Sequence, residues 1–194
     1  MEKGRLEAFS DGVMAIIITI MVLELKVPQS SKPEALLDLW PTFLSYGLSF
    51  LYVGIYWNNH HHLLQATRRV NGHILWANLH LLFWLSLIPF VTGWMGENNF
   101  AALPVGLYGF VLLASAVAYA ILSRTLTSHP GNSPILSEAL GRDMKGKFSI
   151  VVYVFAIPLA FMAAWAACLV YAGLAAMWFI PDRRIETILS RRAR

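Results

Sequence analysis

Long apolar segments joined by short polar connections make up most of this chain. The apolar windows lie at residues 5–25, 41–63, 73–95, 102–124 and 148–180. At about 1.5 Å of rise per residue, each of the first four windows forms a helix that matches a hydrocarbon core of about 30 Å. The last window would form a helix of about 50 Å, too long for one span even when tilted. We predict a division near residues 161–165, which gives six spans: 5–25, 41–63, 73–95, 102–124, 147–162 and 164–181.

The first window carries polar residues inside its predicted span. Its apolar part, residues 12–23, would extend only about 18 Å, so the helix must recruit the turns from Leu6 and reach Leu25. Ser10 and Asp11 then lie one to two turns inside the helix. Ionisable groups at such depth are costly and usually functional. The alternative is that one of these two residues caps a helix beginning at Gly12.

The composition is that of an integral membrane protein. Of the 194 residues, 57% are hydrophobic and 13% charged, and the mean hydropathy of +0.57 is too high for a soluble domain of this size. We find no internal repeat or long linker, so residues 1–194 are predicted to form a single all-α transmembrane domain. The one cysteine, Cys168, excludes a disulfide framework and a thiolate metal site.

The distribution of basic residues predicts the orientation. With six spans and a cytoplasmic N-terminus, 13 of the 15 Lys and Arg residues lie inside, and only Lys26 and Lys32 lie outside. A five-span arrangement would export the C-terminal arginines, against the positive-inside rule. We therefore expect a multi-pass protein of the cell (inner or plasma) membrane, with an uncleaved first span and both termini cytoplasmic. The net charge of +4 then reflects topology and predicts no nucleic-acid partner.

Polar residues from three spans are predicted to meet at the cytoplasmic end. They are Ser10 and Asp11, the run Trp57-Asn58-Asn59-His60-His61-His62, and His73, Asn78 and His80. A carboxylate among imidazole, indole and amide donors can satisfy its lone pairs internally, which predicts a network tying three helices together. A metal site is the alternative, but consecutive helical histidines point about 100° apart and do not converge.

An apolar stripe follows one face of the first span. Ile16, Ile20 and Leu23 lie at i, i+4 and i+7, with Thr19 at the border, and Glu24 ends the span. The stripe alone fits packing against lipid or another helix and does not identify a pore. Spans two to six carry no Asp, Glu, Lys or Arg through their middles, which argues against a secondary transporter or proton pump.

Several motifs together resemble the transmembrane protein 175 family of potassium channels. The first-helix signature is Arg5-x-x-x-Phe9-Ser10-Asp11-Gly12, followed by Ala15-Ile16, Thr19 and Leu23-Glu24. Further matches are Tyr56-Trp57-x-x-His60-His61, Asn78 with Leu87-Ile88-Pro89-Phe90, Ile157-Pro158-Leu159-Ala160-Phe161, and Ile180-Pro181-Asp182-Arg183-Arg184. The resemblance covers nearly the full length. His62 and His80 depart from the family pattern.

This resemblance implies the bacterial form of the family, a homotetramer of six-helix subunits whose first helices line a central pore. It places the hydrophobic constriction on Ile16, further apolar rings on Ile20 and Leu23, and a hydroxyl ring on Thr19. It places a structural network on Phe9, Ser10 and Asp11, with partners expected among Arg5, Trp57, His60, His61 and Asn78.

The expected function is a passive cation channel, modestly selective for potassium over sodium. The sequence contains no Thr-Val-Gly-Tyr-Gly motif, whose backbone carbonyls form the selectivity filter of ordinary potassium channels. Selectivity must therefore come from another structural feature. Glu24 is expected at the outer mouth, either adding negative potential or pairing with Lys26. Beyond membrane lipids and potassium as the permeant ion, we expect no cofactor, no bound metal and no enzymatic activity. The alternatives are a histidine-rich metal-binding protein or enzyme, and a structural scaffold.

Overall fold

A computed structural model describes residues 3–130, 132 and 143–179. This part of the chain forms helices and short connections, with no strand. In chain order the helices are α1 Lys3–Leu23, α2 Pro33–Leu37, α3 Trp40–Gln65, α4 Gly72–Ser86, α5 Ile88–Glu97, α6 Ala102–Thr127, α7 Met144–Met162 and α8 Ala164–Phe179. The motif at residues 180–184, Arg142 and the C-terminal arginines lie outside the described residues.

Within the described residues, four helical stretches are long and apolar enough to cross a membrane, so the fold is that of a helical membrane protein. They are α1, the stretch Gly72–Glu97 made by α4 and α5, α6, and α7, and α8 is a shorter apolar helix. Helix α3 has 26 residues, but serine, tyrosine and tryptophan make it less apolar than these four. The count of six spans therefore stays a prediction.

Two breaks in the helices have physical causes in the sequence. The predicted third span is divided at Leu87, between α4 and α5. Pro89 lies in the first turn of α5, and proline removes a backbone donor and disfavours helical geometry in the residue before it. The last apolar window is divided at Ala163, which has extended backbone angles (φ −155°, ψ 84°). That break falls inside the stretch 161–165 where the sequence suggested a division.

The helices pack in two groups joined through α3 and α6. Helix α1 packs mainly against α3, α4 and α5, whereas α7 packs mainly against α6 and α8. Gly96 permits a close crossing of α5 over α3, because a Cβ added there would lie 2.9 Å from the Cα of Thr42. One face of α1 is therefore held against the bundle, and the other is left without a neighbour in the described part of the chain.

Candidate functional site

Helix α1 has one buried and one exposed face, although both are apolar. Its buried residues recur every three to four positions and are Leu6, Ser10, Met14, Ile17 and Met21. On the opposite side Ile16 is 58% exposed, Ile20 42% and Leu23 79%. Phe9 continues this face at 52% exposed, and Thr19 is exposed within it. All four sequence-predicted ion-pathway residues thus lie on the unpartnered face of α1.

The unpartnered face borders a groove beside the break between α4 and α5. The groove has a volume of about 410 Å³, and its walls include Ile16 and Ile20 from α1 and Pro89 and Phe90 from α5. The hydroxyl of Thr19 donates to the carbonyl of Ile16, with an oxygen–oxygen distance of 2.9 Å. The Thr19 proton is therefore used within the helix, and its oxygen lone pairs stay available to a cation.

A buried hydrogen-bonded chain fixes α1 to α4 and α3. The amide Nδ2 of Asn78 donates to Ser10 Oγ (2.9 Å), and the Ser10 hydroxyl donates to the carbonyl of Leu6 (2.8 Å). Nε2 of His60 lies 2.7 Å from Asn78 Oδ1. Because an amide oxygen only accepts, His60 carries its proton on Nε2. Ser10, His60 and Asn78 are all 0% exposed, and His60 Nδ1 has no hydrogen-bond partner among the described residues.

Asp11 belongs to a second, more exposed set of contacts. Trp57 Nε1 donates to Asp11 Oδ1 at 3.0 Å, and the Trp57 ring stacks on the His61 ring with centroids 5.9 Å apart. His61 Nδ1 lies 3.5 Å from Glu7 Oε1. Adjacent helical residues point about 100° apart, so Ser10 reaches α4 while Asp11 reaches α3. Sequence reasoning missed Glu7, although its i, i+4 spacing to Asp11 places both on one face.

The remaining polar residues predicted for this layer lie apart from both sets. Arg5 is exposed, and neither the Arg5 nor the Phe9 side chain forms a hydrogen bond or ion pair within the part of the chain that the structure describes. His80 accepts a hydrogen bond from Trp84 Nε1 (2.9 Å), and the His62 ring lies against the His61 ring. Among the described residues, no group of three or more His, Cys, Asp or Glu side chains could hold a metal ion. The metal-binding alternative therefore gains no support.

Charged residues form a cleft at the opposite end of α1. Lys26 Nζ lies 2.5 Å from Glu97 Oε1, and this hydrogen-bonded partner raises the pKa of Lys26 above 10.5. Glu24 instead lies over Gly93, where an added Cβ would meet its Oε2 at 2.8 Å. Asp38 also lines the cleft, which has a volume of about 330 Å³. The sequence left open a pair between Glu24 and Lys26, but the direct ion pair of Lys26 is with Glu97.

Comparisons with known proteins agree with this architecture. The family model described as "Endosomal/lysosomal potassium channel TMEM175" matches residues 5–89. A protein named as a potassium channel from Chryseobacterium sp. (strain P1-3) is 54% identical over 97% of this chain and 98% of its own length. One so named from Streptomyces collinus is 33% identical over 92% of this chain and 91% of its own.

A solved structure is similar over most of the chain. It is the crystal structure of "a lysosomal potassium-selective channel TMEM175 homolog" from Chamaesiphon minutus. Its TM-score is 0.78 at 30% identity, and the match covers 92% of this chain and 97% of that one. The similarities extend over nearly the whole chain and include the motifs around α1, α3 and α4, so this chain belongs to the TMEM175 family of potassium channels.

Proposed function

We propose that this protein is a passive potassium-selective channel in which four copies place α1 around a central pore. The observation that carries the proposal is the apolar, unpartnered face of α1, which is 42–79% exposed at Ile16, Ile20 and Leu23. The names of the full-length bacterial relatives and of the similar crystal structure support a potassium channel. In a central position in the oligomer, this face would line the pore and would lie next to the same face of the neighbouring copies.

In this proposal the ion is sorted by dehydration. A ring of Ile16 side chains offers methyl groups, which coordinate nothing, so a cation must release part of its water to pass. Potassium holds its water less tightly than sodium and is penalised less, which gives a modest preference. The same apolar rings close the pore by dewetting when they approach one another. The free lone pairs of Thr19 would hold a partly hydrated ion next to the constriction.

The ends of the pore follow from the same arrangement. The basic residues around the start of α1, in the α3–α4 loop, at the end of α6 and at the start of α7 are proposed to face the cytoplasm, with both termini, in the cell membrane. Glu24 then lies at the outer mouth, where its charge raises the local concentration of cations. Arg5 and Phe9, which are exposed in the single chain, would find partners on neighbouring copies.

The hydrogen-bonded chain through Asn78 is proposed to be structural. Ser10 lies more than one turn from Ile16 along α1, and Asn78 lies on α4. We therefore assign both residues to holding the orientation of α1, without contact to the ion. Asp11 is assigned the same kind of role through Trp57. Neither set supplies the pairing of acid, base and nucleophile that an enzyme would use.

The test is potassium and sodium flux into liposomes containing the purified protein, compared for two matched variants. Ile16→Asn introduces a polar group at the proposed constriction, and Leu103→Asn makes a similar change on α6 at nearly equal exposure, 57% against 58%. We expect Ile16→Asn to reduce the potassium-to-sodium flux ratio while the tetramer persists, and Leu103→Asn to leave that ratio unchanged. Unaltered selectivity in an intact Ile16→Asn tetramer would remove Ile16 from the filter. Flux no greater than in empty liposomes would instead favour a scaffold.

A further inference from the structure

A basic groove lies between α6 and α7, at the end of the bundle that carries Lys3. It has a volume of about 170 Å³ and is lined by Arg124 and Ser123 from α6 and by Asp143 and Lys147 from the start of α7. Neither helix is among those against which α1 mainly packs. The groove therefore lies outside the proposed pore and has no part in the function assigned above.

Two positively charged side chains line the groove, and neither is paired with a carboxylate in the described part of the chain. Arg124 and Lys147 are both exposed, and within residues 3–130, 132 and 143–179 neither forms an ion pair. Among the described lining residues Asp143 is the one carboxylate, and its Oδ1 accepts from Gly146 N (2.8 Å), where it caps α7. With two cations and one carboxylate, the described lining carries a net charge of +1.

A buried hydroxyl adds a hydrogen-bonding group to the same groove. Ser123 is 8% exposed, and its hydroxyl lies next to the Tyr119 side chain. A serine hydroxyl can interact with one neighbour and also donate its proton to an oxygen of a bound ligand. Arginine, lysine and serine are together the donor types that bind phosphate oxygens.

Exposed apolar side chains on α6 and α7 continue from the two cations along the helix surfaces, and we call this set the apolar track. On α6, Ile121 and Val117 lie three and seven residues from Arg124 and are 40% and 38% exposed. On α7, Val151 and Val154 lie four and seven residues from Lys147 and are 53% and 50% exposed. These spacings keep each set on one helix face, and seven residues cover about 10 Å along the helix.

From this arrangement we infer that the groove binds an anionic phospholipid, with the phosphate between Arg124 and Lys147 and an acyl chain along the α6–α7 track. Basic pockets between transmembrane helices recognise such headgroups, and each nearby Lys or Arg contributes about 1 kcal/mol. A free phosphate would use the cations and Ser123 but would leave the apolar track empty. The apolar track therefore favours a lipid over a small anion.

The test compares binding of phosphatidylglycerol with that of phosphatidylcholine of the same chain length, and with inorganic phosphate. Native mass spectrometry of the purified full-length protein in detergent counts the lipids retained by the wild type and two double variants. Arg124→Gln/Lys147→Gln removes the proposed site. Arg68→Gln/Arg69→Gln removes the same charge from the α3–α4 loop, where the backbone N–H groups, not the side chains, bind Asn132. Each single change, Arg124→Gln and Lys147→Gln, is also measured, so that a misfolded double variant does not end the test.

We expect phosphatidylglycerol binding to weaken roughly 30-fold in Arg124→Gln/Lys147→Gln and about fivefold in each single variant. Arg68→Gln/Arg69→Gln should retain wild-type binding, and phosphatidylcholine should bind weakly to all of these proteins. Equal losses in the two double variants would overturn the site in favour of general surface charge. Equal retention of phosphatidylcholine, or displacement of phosphatidylglycerol by millimolar phosphate, would overturn the lipid as its ligand.

Discussion

Replacing Asn78 by alanine tests how α1 is held in the bundle. The substitution removes two hydrogen bonds between helices, from Nδ2 to Ser10 Oγ (2.9 Å) and between Oδ1 and His60 Nε2 (2.7 Å). Such bonds within membrane proteins contribute about 0.6 kcal/mol on average and up to about 1.7. In Asn78→Ala, Ser10 keeps its hydrogen bond to the Leu6 carbonyl. His60 loses the partner of its Nε2 while it stays fully buried, and its Nδ1 already lacks a partner within the described chain.

The expected loss of unfolding free energy for Asn78→Ala is about 2–3 kcal/mol, because an unpaired buried donor adds to the two lost bonds. Titration with SDS in mixed micelles measures it. Asn58→Ala is the control, since the Asn58 side chain is exposed and makes no hydrogen bond with another described residue, and its expected effect is within about 0.5 kcal/mol. A double-mutant cycle with Ser10→Ala should give a coupling of about 0.6 kcal/mol or more. Equal stability of Asn78→Ala and Asn58→Ala would refute the buried chain as the anchor of α1.

Two further predictions concern packing and the Asp11 contact. Gly96→Ala should lower the unfolding free energy by about 1–3 kcal/mol, because the new Cβ meets the Thr42 backbone at 2.9 Å. In the control Gly47→Ala the new Cβ meets nothing within 4 Å in the described chain, so the unfolding free energy should rise by up to about 1 kcal/mol. Melting temperatures that shift in the same direction in the two variants would contradict this. Asp11→Asn weakens a charge-assisted bond from Trp57 and should cost about 0.5–1 kcal/mol, with the potassium-to-sodium flux ratio unchanged; normal melting with altered ion preference would reverse the assignment.

The sequence was sufficient to place the polar layer but not to pair its members. Hydrophobic windows bring the start of α1, the end of α3 and the start of α4 to one level, and Ser10, His60 and Asn78 do meet there. Which donor reaches which acceptor depends on the rotation of each helix, where one residue changes direction by about 100°. That rotation separates Ser10 from Asp11, and it brings in Glu7.

Other features depend on contacts that a linear pattern does not contain. Both faces of α1 are apolar, since Met14 and Ile17 on one face are hydrophobic residues like Ile16 and Ile20 on the other, so only the packed structure separates buried from exposed positions. Lys26 follows Glu24 closely in sequence, yet its direct partner is Glu97, which the folded chain brings alongside. The sequence analysis treated residues 73–95 as one span, and the structure divides it at Leu87, next to Pro89. Whether a proline divides a membrane helix depends on how the neighbouring helices accommodate the kink.

The central claim, that the exposed face of α1 lines the ion pathway, is tested most directly by cysteine accessibility. In a Cys168→Ala background, single cysteines replace Ile20 and Leu23 on the exposed face, and Ile17 and Met21 on the buried face, where they are 3% and 0% exposed. Potassium current is recorded before and after a small cationic thiol reagent is added. The account predicts that modification reduces current at positions 20 and 23 and leaves it unchanged at 17 and 21. Block at positions 17 and 21 with none at 20 and 23 would contradict it.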